Sequence, residues 1–156
     1  MGRLLRFLIS HGLAVVIGFA AGIYALPILT APPSPDEITL QQAAARAEFT
    51  TYFNRDVAGS DALHWGEGVV AIGGDSISLM GKLSPGPDFG LYLSPVPIAD
   101  KAGFLAHQAS MVRVGDIKTF EHFVVPVAGD IDPADYRSVV VWCDSFRQFI
   151  TSATYQ

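Results

Sequence analysis

The sequence predicts an all-β antiparallel sandwich or barrel of about seven strands, preceded by an N-terminal transmembrane helix and a short helical stalk. Three observations support this fold class. An uncharged apolar segment lies near the start of the 156-residue chain, an alanine-rich segment follows a proline-rich linker, and the remainder alternates short β-type runs with Gly, Pro and Asp turns.

The apolar segment, residues 7–29, is predicted to be a single-pass membrane anchor. Its 23 residues carry no charge when His11 is neutral. At about 1.5 Å per residue they span roughly 34 Å, enough to cross a hydrocarbon core of about 30 Å. A cleavable signal peptide is the alternative, but its apolar region covers only about 7–15 residues. Prolines also follow directly after Ala31, at the first exit from the segment, so an uncleaved anchor is favoured.

The charges on either side of the anchor predict its orientation. Arg3 and Arg6 precede it, whereas the first charges after it are Asp36 and Glu37. The positive-inside rule makes residues 1–6 a cytoplasmic tail and places the C-terminal domain outside. In a bacterium this means the inner membrane, with the domain in the periplasm. The exported part carries all 15 acidic and 8 of the 10 basic side chains, a net charge of −7, so we expect no binding to nucleic acid.

Residues 30–60 are predicted to form a stiff linker and a helix. Ser34 is the expected N-cap, Pro35 suits the first helical position, and Glu37 completes a capping box. The helix is expected to continue through an apolar stripe near its C-terminal end and to stop at residues 58–61. The stripe consists of Phe49, Tyr52, Phe53 and Val57.

Residues 61–156 are predicted to form the β domain. The candidate strands are 68–72, 76–80, 90–93, 111–118, 122–127, 138–143 and 148–154. The run 138–143 is apolar on both faces, so we expect a central strand that is covered on both sides. Val139, Val141 and Cys143 share one face of this strand, and Val140 and Trp142 the other.

Cys143 is the only cysteine of the chain, which leaves a free thiol, an intermolecular bridge or a cofactor ligand. Free cysteines are often buried and inert, whereas a reactive thiol needs a partly open, electropositive site. The residues alone favour the inert interpretation. The other exported side chains that could bind a metal are His64, His107, His122, Met80 and Met111.

Two common metal centres are disfavoured by the sequence around Cys143. A blue-copper cysteine is usually followed closely by His and Met, and residues 144–156 contain neither. A covalent c-type haem needs Cys-x-x-Cys-His, which a single cysteine cannot supply. A non-covalent haem needs only one or two axial ligands and stays compatible with the sequence. No hydrolase or transferase motif is present.

Ala14, Gly18 and Gly22 recur at four-residue spacing in the anchor. Small residues on one face let two membrane helices approach closely, so a homodimer through this face is one interpretation. The alternative is that Gly and Ala are simply frequent in membrane helices.

The order of four motifs resembles the DM-thirteen domain, also called the electron-transfer or Skeletor-type domain. They are "HWGEGVVAIGGDSISLMG" (64–81), "GPDFGLYLSP" (86–95), "VRVGDIKTFEHFVVP" (112–126) and "YRSVVVWCDSFRQFITSA" (136–153). The layout also resembles bacterial single-domain, membrane-anchored members. The resemblance implies a β-rich extracytoplasmic domain with a redox or electron-transfer role, in which Cys143 acts as a naked thiol or a haem ligand.

The resemblance also implies a redox partner protein, because the family is found joined to haem-binding and cytochrome modules. It supplies no second ligand, so His64, His122 and Met80 are retained as candidates beside Cys143. Two functions therefore compete. One is membrane-associated redox chemistry through Cys143, and the other is a non-catalytic binding or assembly module with Cys143 in its core. A small-ligand-binding barrel without redox activity is a third, weaker interpretation.

Overall fold

Two four-stranded antiparallel sheets stack face to face in the computed structural model, which describes residues 2–156. Three helices accompany them: α1 (Gly2–Thr30), α2 (Glu37–Ala45) and α3 (Lys101–His107). The strands are β1 (Phe49–Phe53), β2 (Gly66–Ile72), β3 (Ser76–Leu83), β4 (Phe89–Ser94), β5 (Val112–Ile117), β6 (Glu121–Pro126), β7 (Ser138–Cys143) and β8 (Gln148–Thr154). The predicted all-β sandwich is confirmed, with eight strands rather than about seven.

The strand order is β1-β2-β3-β6 in the first sheet and β5-β4-β7-β8 in the second. The sheets approach each other along one edge, where the Thr51 hydroxyl of β1 donates to the Thr154 carbonyl of β8 at 2.8 Å. The inward-facing residues of both sheets form one continuous apolar core. α2 lies on the outer face of the first sheet, with Leu40 and Ala43 buried against it.

The predicted stalk helix was too long, because α2 ends at Ala45 and the aromatic stripe belongs to β1. Phe49 and Phe53 pair with Ile72 and Gly68 of β2. The segment Phe-Thr-Thr-Tyr-Phe is β-branched and aromatic, which favours a strand wherever a partner strand is present. The β domain therefore begins before the expected boundary at Asp61.

The helix cap also differs from the prediction. Asp36, and not Ser34, is the N-cap of α2, and its carboxylate accepts a hydrogen bond from the Thr39 amide at 2.8 Å. An ionised carboxylate is among the strongest N-cap acceptors and also interacts favourably with the helix dipole.

β7 is central and covered on both sides, as predicted. Its inner face packs in the core between the sheets, and its outer face lies under α3. Phe104 of α3 stacks on Trp142 with ring centroids 4.0 Å apart and an interplanar angle of 6°. His107, one of the side chains that could bind a metal, is the last residue of α3.

α1 extends the predicted anchor at its N-terminal end, since it begins at Gly2. Among residues 2–156 it is the helix whose length and mean hydropathy of 2.2 would allow it to cross a bilayer. A signal sequence near an N-terminus meets the same criteria. No side chain of α1 is fully buried.

Candidate functional site

Cys143 ends β7 and points into the core between the two sheets. It pairs with Phe89 of β4 and Gln148 of β8, and only 2% of its surface is exposed. A four-residue turn follows, in which Arg147 adopts a positive φ of 49°. The thiol therefore lies at one end of the sandwich, where the core meets the loops, rather than in the middle of the core.

A cavity of about 330 Å³ adjoins Cys143 at this end of the domain. Strand residues Phe89, Cys143, Gln148 and Ile150 form its floor. Its other lining residues come from two loops, the β7–β8 turn and one face of α1. They are Leu63, His64, Pro85, Gly86, Pro87, Phe146, Ala20, Ile23 and Tyr24. We name this space the Cys143 cavity, and its lining is mainly apolar.

His64 is the candidate second ligand that lines the same cavity as Cys143. The Asp61 carboxylate fixes its position by accepting from the His64 amide at 2.9 Å and from the ring Nδ1 at 2.9 Å. The hydrogen bond from His64 lowers the pKa of Asp61, so this carboxylate is ionised near neutrality. With Nδ1 donating to Asp61, the Nε2 atom of His64 is left as an acceptor.

The Cys143 thiol is neutral near pH 7. Burial raises its pKa, and the carboxylates of Asp88 and Asp144 raise it further. The backbone amides of Phe146 and Ser145 act in the opposite direction but do not outweigh burial. A neutral thiol is a weak nucleophile and a weak metal ligand, so the site does not resemble that of a nucleophilic cysteine enzyme.

Met80 and His122 lie elsewhere, at the β-bulge between β3 and β6. His122 has a φ of 54°, and its Nδ1 accepts from the Gly81 amide at 3.1 Å. Met80 is 45% exposed on the neighbouring strand. Neither residue lines the Cys143 cavity. His122 holds the bulge in place, a structural role that explains its position without a ligand.

A polar network lies next to the site on the outer face of the second sheet. The Tyr92 hydroxyl donates to Asp144 at 2.7 Å, and Arg113 bridges Asp144 at 3.2 Å and Asp116 at 2.7 Å. Burial raises the pKa of Tyr92 to about 12. Glycine at position 90 provides the space for this network, because a Cβ there would lie 2.9 Å from the Asp144 carboxylate. This network fixes Asp144, the residue after Cys143, and no motif in the sequence indicated it.

The Cys143 cavity does not fit a thiolate-ligated haem. Among the described residues its lining includes no Lys or Arg, so the two propionates would find no cationic partner there. Nearby Asp88 and Asp144 disfavour the thiolate that would bind the iron. No group of three or more His, Cys, Asp or Glu side chains within residues 2–156 could hold a metal ion.

Comparison with known families identifies the domain. The family described as Electron transfer DM13 matches residues 53–155, which is well over half of the chain. The chain belongs to the DM13 family. The match covers β2 to β8 and contains Cys143, His64, Met80 and His122, whereas α1, α2 and most of β1 precede it. No curated protein and no solved structure matches the chain.

The DM13 match confirms the family resemblance that the four motifs predicted. It also assigns the β sandwich to a family described by electron transfer. The cavity walls were not predicted, although the turn "SPGPDF" at 84–89 was visible in the sequence. Nothing in that turn showed that its prolines would line a space beside Cys143, because this depends on how the loops fold back over the end of the sandwich.

The titration of Cys143 predicts a loss of stability at alkaline pH. An unfolded chain releases the thiol proton near pH 8.5, but the folded protein holds it to higher pH because its pKa is raised. Above the unfolded pKa the native state binds more protons, so stability falls with pH, by up to about 1.4 kcal/mol per pH unit. Below the unfolded pKa the thiol is protonated in both states, so its contribution to the free energy of unfolding is fully present and does not change with pH.

Urea unfolding of the full chain in detergent micelles between pH 7 and 10 measures this effect. Cys143→Ala is the control, and we expect its stability to fall less steeply than that of the wild type. Parallel pH profiles for the two proteins would contradict the raised pKa.

Proposed function

We propose that this DM13 protein is a membrane-anchored, extracytoplasmic electron-transfer component in which Cys143 is the redox-active group. The observation that supports this most directly is the cavity that Cys143 shares with His64. A cysteine that only fills the core has no need of a space beside an imidazole. The orientation of the charges around α1 supports an inner-membrane anchor and a periplasmic domain in a bacterial host.

In the proposed reaction the thiol gives up one electron and one proton. The electron passes to a one-electron acceptor, such as a redox partner protein, and the S–H bond breaks to leave a sulfur-centred radical. The proton moves to Nε2 of His64, and the ionised Asp61 stabilises the resulting imidazolium. A one-electron donor and the same proton restore the thiol. The neutral thiol is the form from which this step starts.

Titration with hexachloroiridate(IV), a one-electron oxidant, tests the proposal on the folded full chain in detergent micelles. We expect the wild type to consume one equivalent more than Cys143→Ala, and a spin trap to attach to Cys143. His64→Gln should keep the extra equivalent but slow its consumption, because the proton acceptor is lost. Equal consumption by the wild type and Cys143→Ala would rule out a redox role for Cys143.

A non-catalytic binding or assembly module is the second candidate function. It is favoured by the burial of Cys143, which leaves 2% of its surface exposed. In that case Cys143 stabilises the core, and the titration finds no additional equivalent. A homodimer through Ala14, Gly18 and Gly22 stays a prediction. Gly18 and Gly22 border a gap beside Phe146 and Pro87, so a second helix on this face would have to fit next to the domain.

A further inference from the structure

Two large apolar side chains project from the end of the domain that holds the Cys143 cavity. Leu63 is 62% exposed and Phe146 is 55% exposed. They come from different loops but line the same cavity, together with Pro85 and Pro87. Single exposed apolar residues are common on soluble proteins, whereas a group of them at one end marks a contact surface.

The linker holds this end of the domain close to the end of α1. Six residues, 31–36, separate α1 from α2, and a chain of that length reaches about 20 Å at most. Ala31 and Pro32 lie beside Phe89 and Phe120 of the domain. If α1 spans a bilayer, the cavity end of the domain is therefore the end nearest the lipid.

Aromatic and apolar residues indicate the depth of this end. Counting about 20 residues of helix from Arg6 places the outer boundary of the hydrocarbon core near Leu26. Tyr24 lies less than one helical turn from Leu26, on its membrane side, which is where the aromatic belt of a membrane protein is found. Tyr24 also lines the Cys143 cavity. Phe146 lines a second gap of about 510 Å³ together with α1 residues from Gly18 to Pro27. Phe146 thus lies at the boundary near Leu26 or on its lipid side, and not above it.

The charges at this end favour neutral lipid over an anionic surface. The charged groups within two residues of Leu63 and Phe146 are Asp61, Asp144 and Arg147. Asp88, Asp116 and Lys118 line the cavity next to the linker, so four acidic groups at this end face two basic ones. They supply no excess of positive charge, so electrostatic attraction to anionic headgroups cannot bind this end of the domain to the membrane. The contact must come from apolar side chains that enter the interface, as they do in peripheral membrane proteins.

We propose that Leu63 and Phe146 insert into the outer-leaflet interface of a neutral lipid bilayer, so that the Cys143 cavity opens toward lipid. This rests on the membrane anchor of the proposed function and is independent of any redox role. The bilayer then replaces water over the mouth of the cavity. A molecule that reaches Cys143 by this path is uncharged and soluble in lipid.

Spin-label accessibility of the full chain in phosphatidylcholine nanodiscs tests this insertion. Cys143→Ala removes the native thiol, and single cysteines are then introduced by Leu63→Cys, Phe146→Cys, Val16→Cys and Asp130→Cys. Val16 lies within α1, and Asp130 is exposed on a loop at the opposite end of the sandwich. All four positions are exposed, so the labels should not disturb folding; circular dichroism of each labelled protein checks this.

We expect the ratio of oxygen to nickel-chelate accessibility to be several-fold higher at positions 63, 146 and 16 than at position 130. If the accessibility ratios at positions 63 and 146 resemble that at 130 while position 16 has the ratio of a lipid-exposed site, the proposed insertion is wrong and the membrane anchor is supported. If position 16 also resembles 130, both the insertion and the anchor are wrong. The hexachloroiridate titration is done in detergent micelles with an outer-sphere oxidant, which takes the electron without entering the cavity, so the redox proposal is judged separately.

Discussion

Trp142→Ala is expected to lower the free energy of unfolding by about 3–5 kcal/mol. Trp142 is 2% exposed on the outer face of β7 and stacks on Phe104 of α3. Its removal leaves a cavity between α3 and the second sheet, because most of the surrounding side chains are fixed on the strands of that sheet. That cluster contains Tyr92, Ile98, Phe104, Val140 and Phe149.

Chemical denaturation of the detergent-solubilised full chain, followed by far-ultraviolet circular dichroism, measures this loss. Tyr52→Ala is a matched control, because Tyr52 is also an aromatic strand residue but is 56% exposed. We expect the control to cost about 1 kcal/mol or less. Similar losses for the two variants would show that α3 does not pack on β7 as described.

Gly81→Ala is expected to cost about 2–4 kcal/mol. Gly81 faces Gly68 across the β2–β3 pair, and Gly68 adopts a φ of 127° that strongly favours glycine. A Cβ on Gly81 would overlap the Glu67 carbonyl oxygen and lie 2.7 Å from the Gly68 Cα. Both are backbone atoms, so the strands must separate. The hydrogen bond from the Gly81 amide to His122 would weaken as well.

Gly129→Ala is the control for this substitution, because no atom lies within 4 Å of its added Cβ. We expect its free energy of unfolding to stay within about 0.5 kcal/mol of the wild type. A Gly81→Ala protein as stable as Gly129→Ala would mean that β2 and β3 do not approach as closely as the structure has them.

β7 could be predicted from the sequence because alternation alone fixes which side chains share a face. Val139, Val141 and Cys143 meet in the core and Trp142 lies opposite, as the period of two requires. The length of the run and its lack of polar residues also indicated burial on both faces. These properties are local, so no knowledge of the partner strands was needed.

β1 could not be recognised because its residues satisfy two patterns. Phe49, Tyr52 and Phe53 have the spacing of a helical stripe, but pairing with β2 decides their conformation. Short apolar runs are ambiguous between helix and strand until the partner is known. The same holds for His122, where a bulge between β3 and β6 turns the side chain toward the Gly81 amide. No sequence pattern predicted this bulge.

The candidate site was predictable in part. Cys143 could be singled out by the family resemblance, but His64 was one of three second candidates with no basis for choosing among them. Only the three-dimensional arrangement of the 61–64 loop, held by the Asp61 carboxylate, brings His64 to the cavity. His64 and Cys143 are far apart in sequence, so whether they line one cavity depends on the whole fold. Local sequence patterns therefore could not predict it.

Accessibility of the Cys143 sulfur in the folded protein is the most direct test of its redox role. The measurement is the rate at which methyl methanethiosulfonate, a small uncharged thiol reagent, modifies the full chain in phosphatidylcholine nanodiscs, followed by mass spectrometry. Because the thiolate is the reactive form and the pKa of Cys143 is raised, we expect modification to be slow near pH 7 and to accelerate with pH. At each pH it should still be faster than unfolding, and faster in Phe146→Ala, where a wider cavity mouth is expected. Modification only at the rate of unfolding would contradict a functional thiol and leave Cys143 as part of the core.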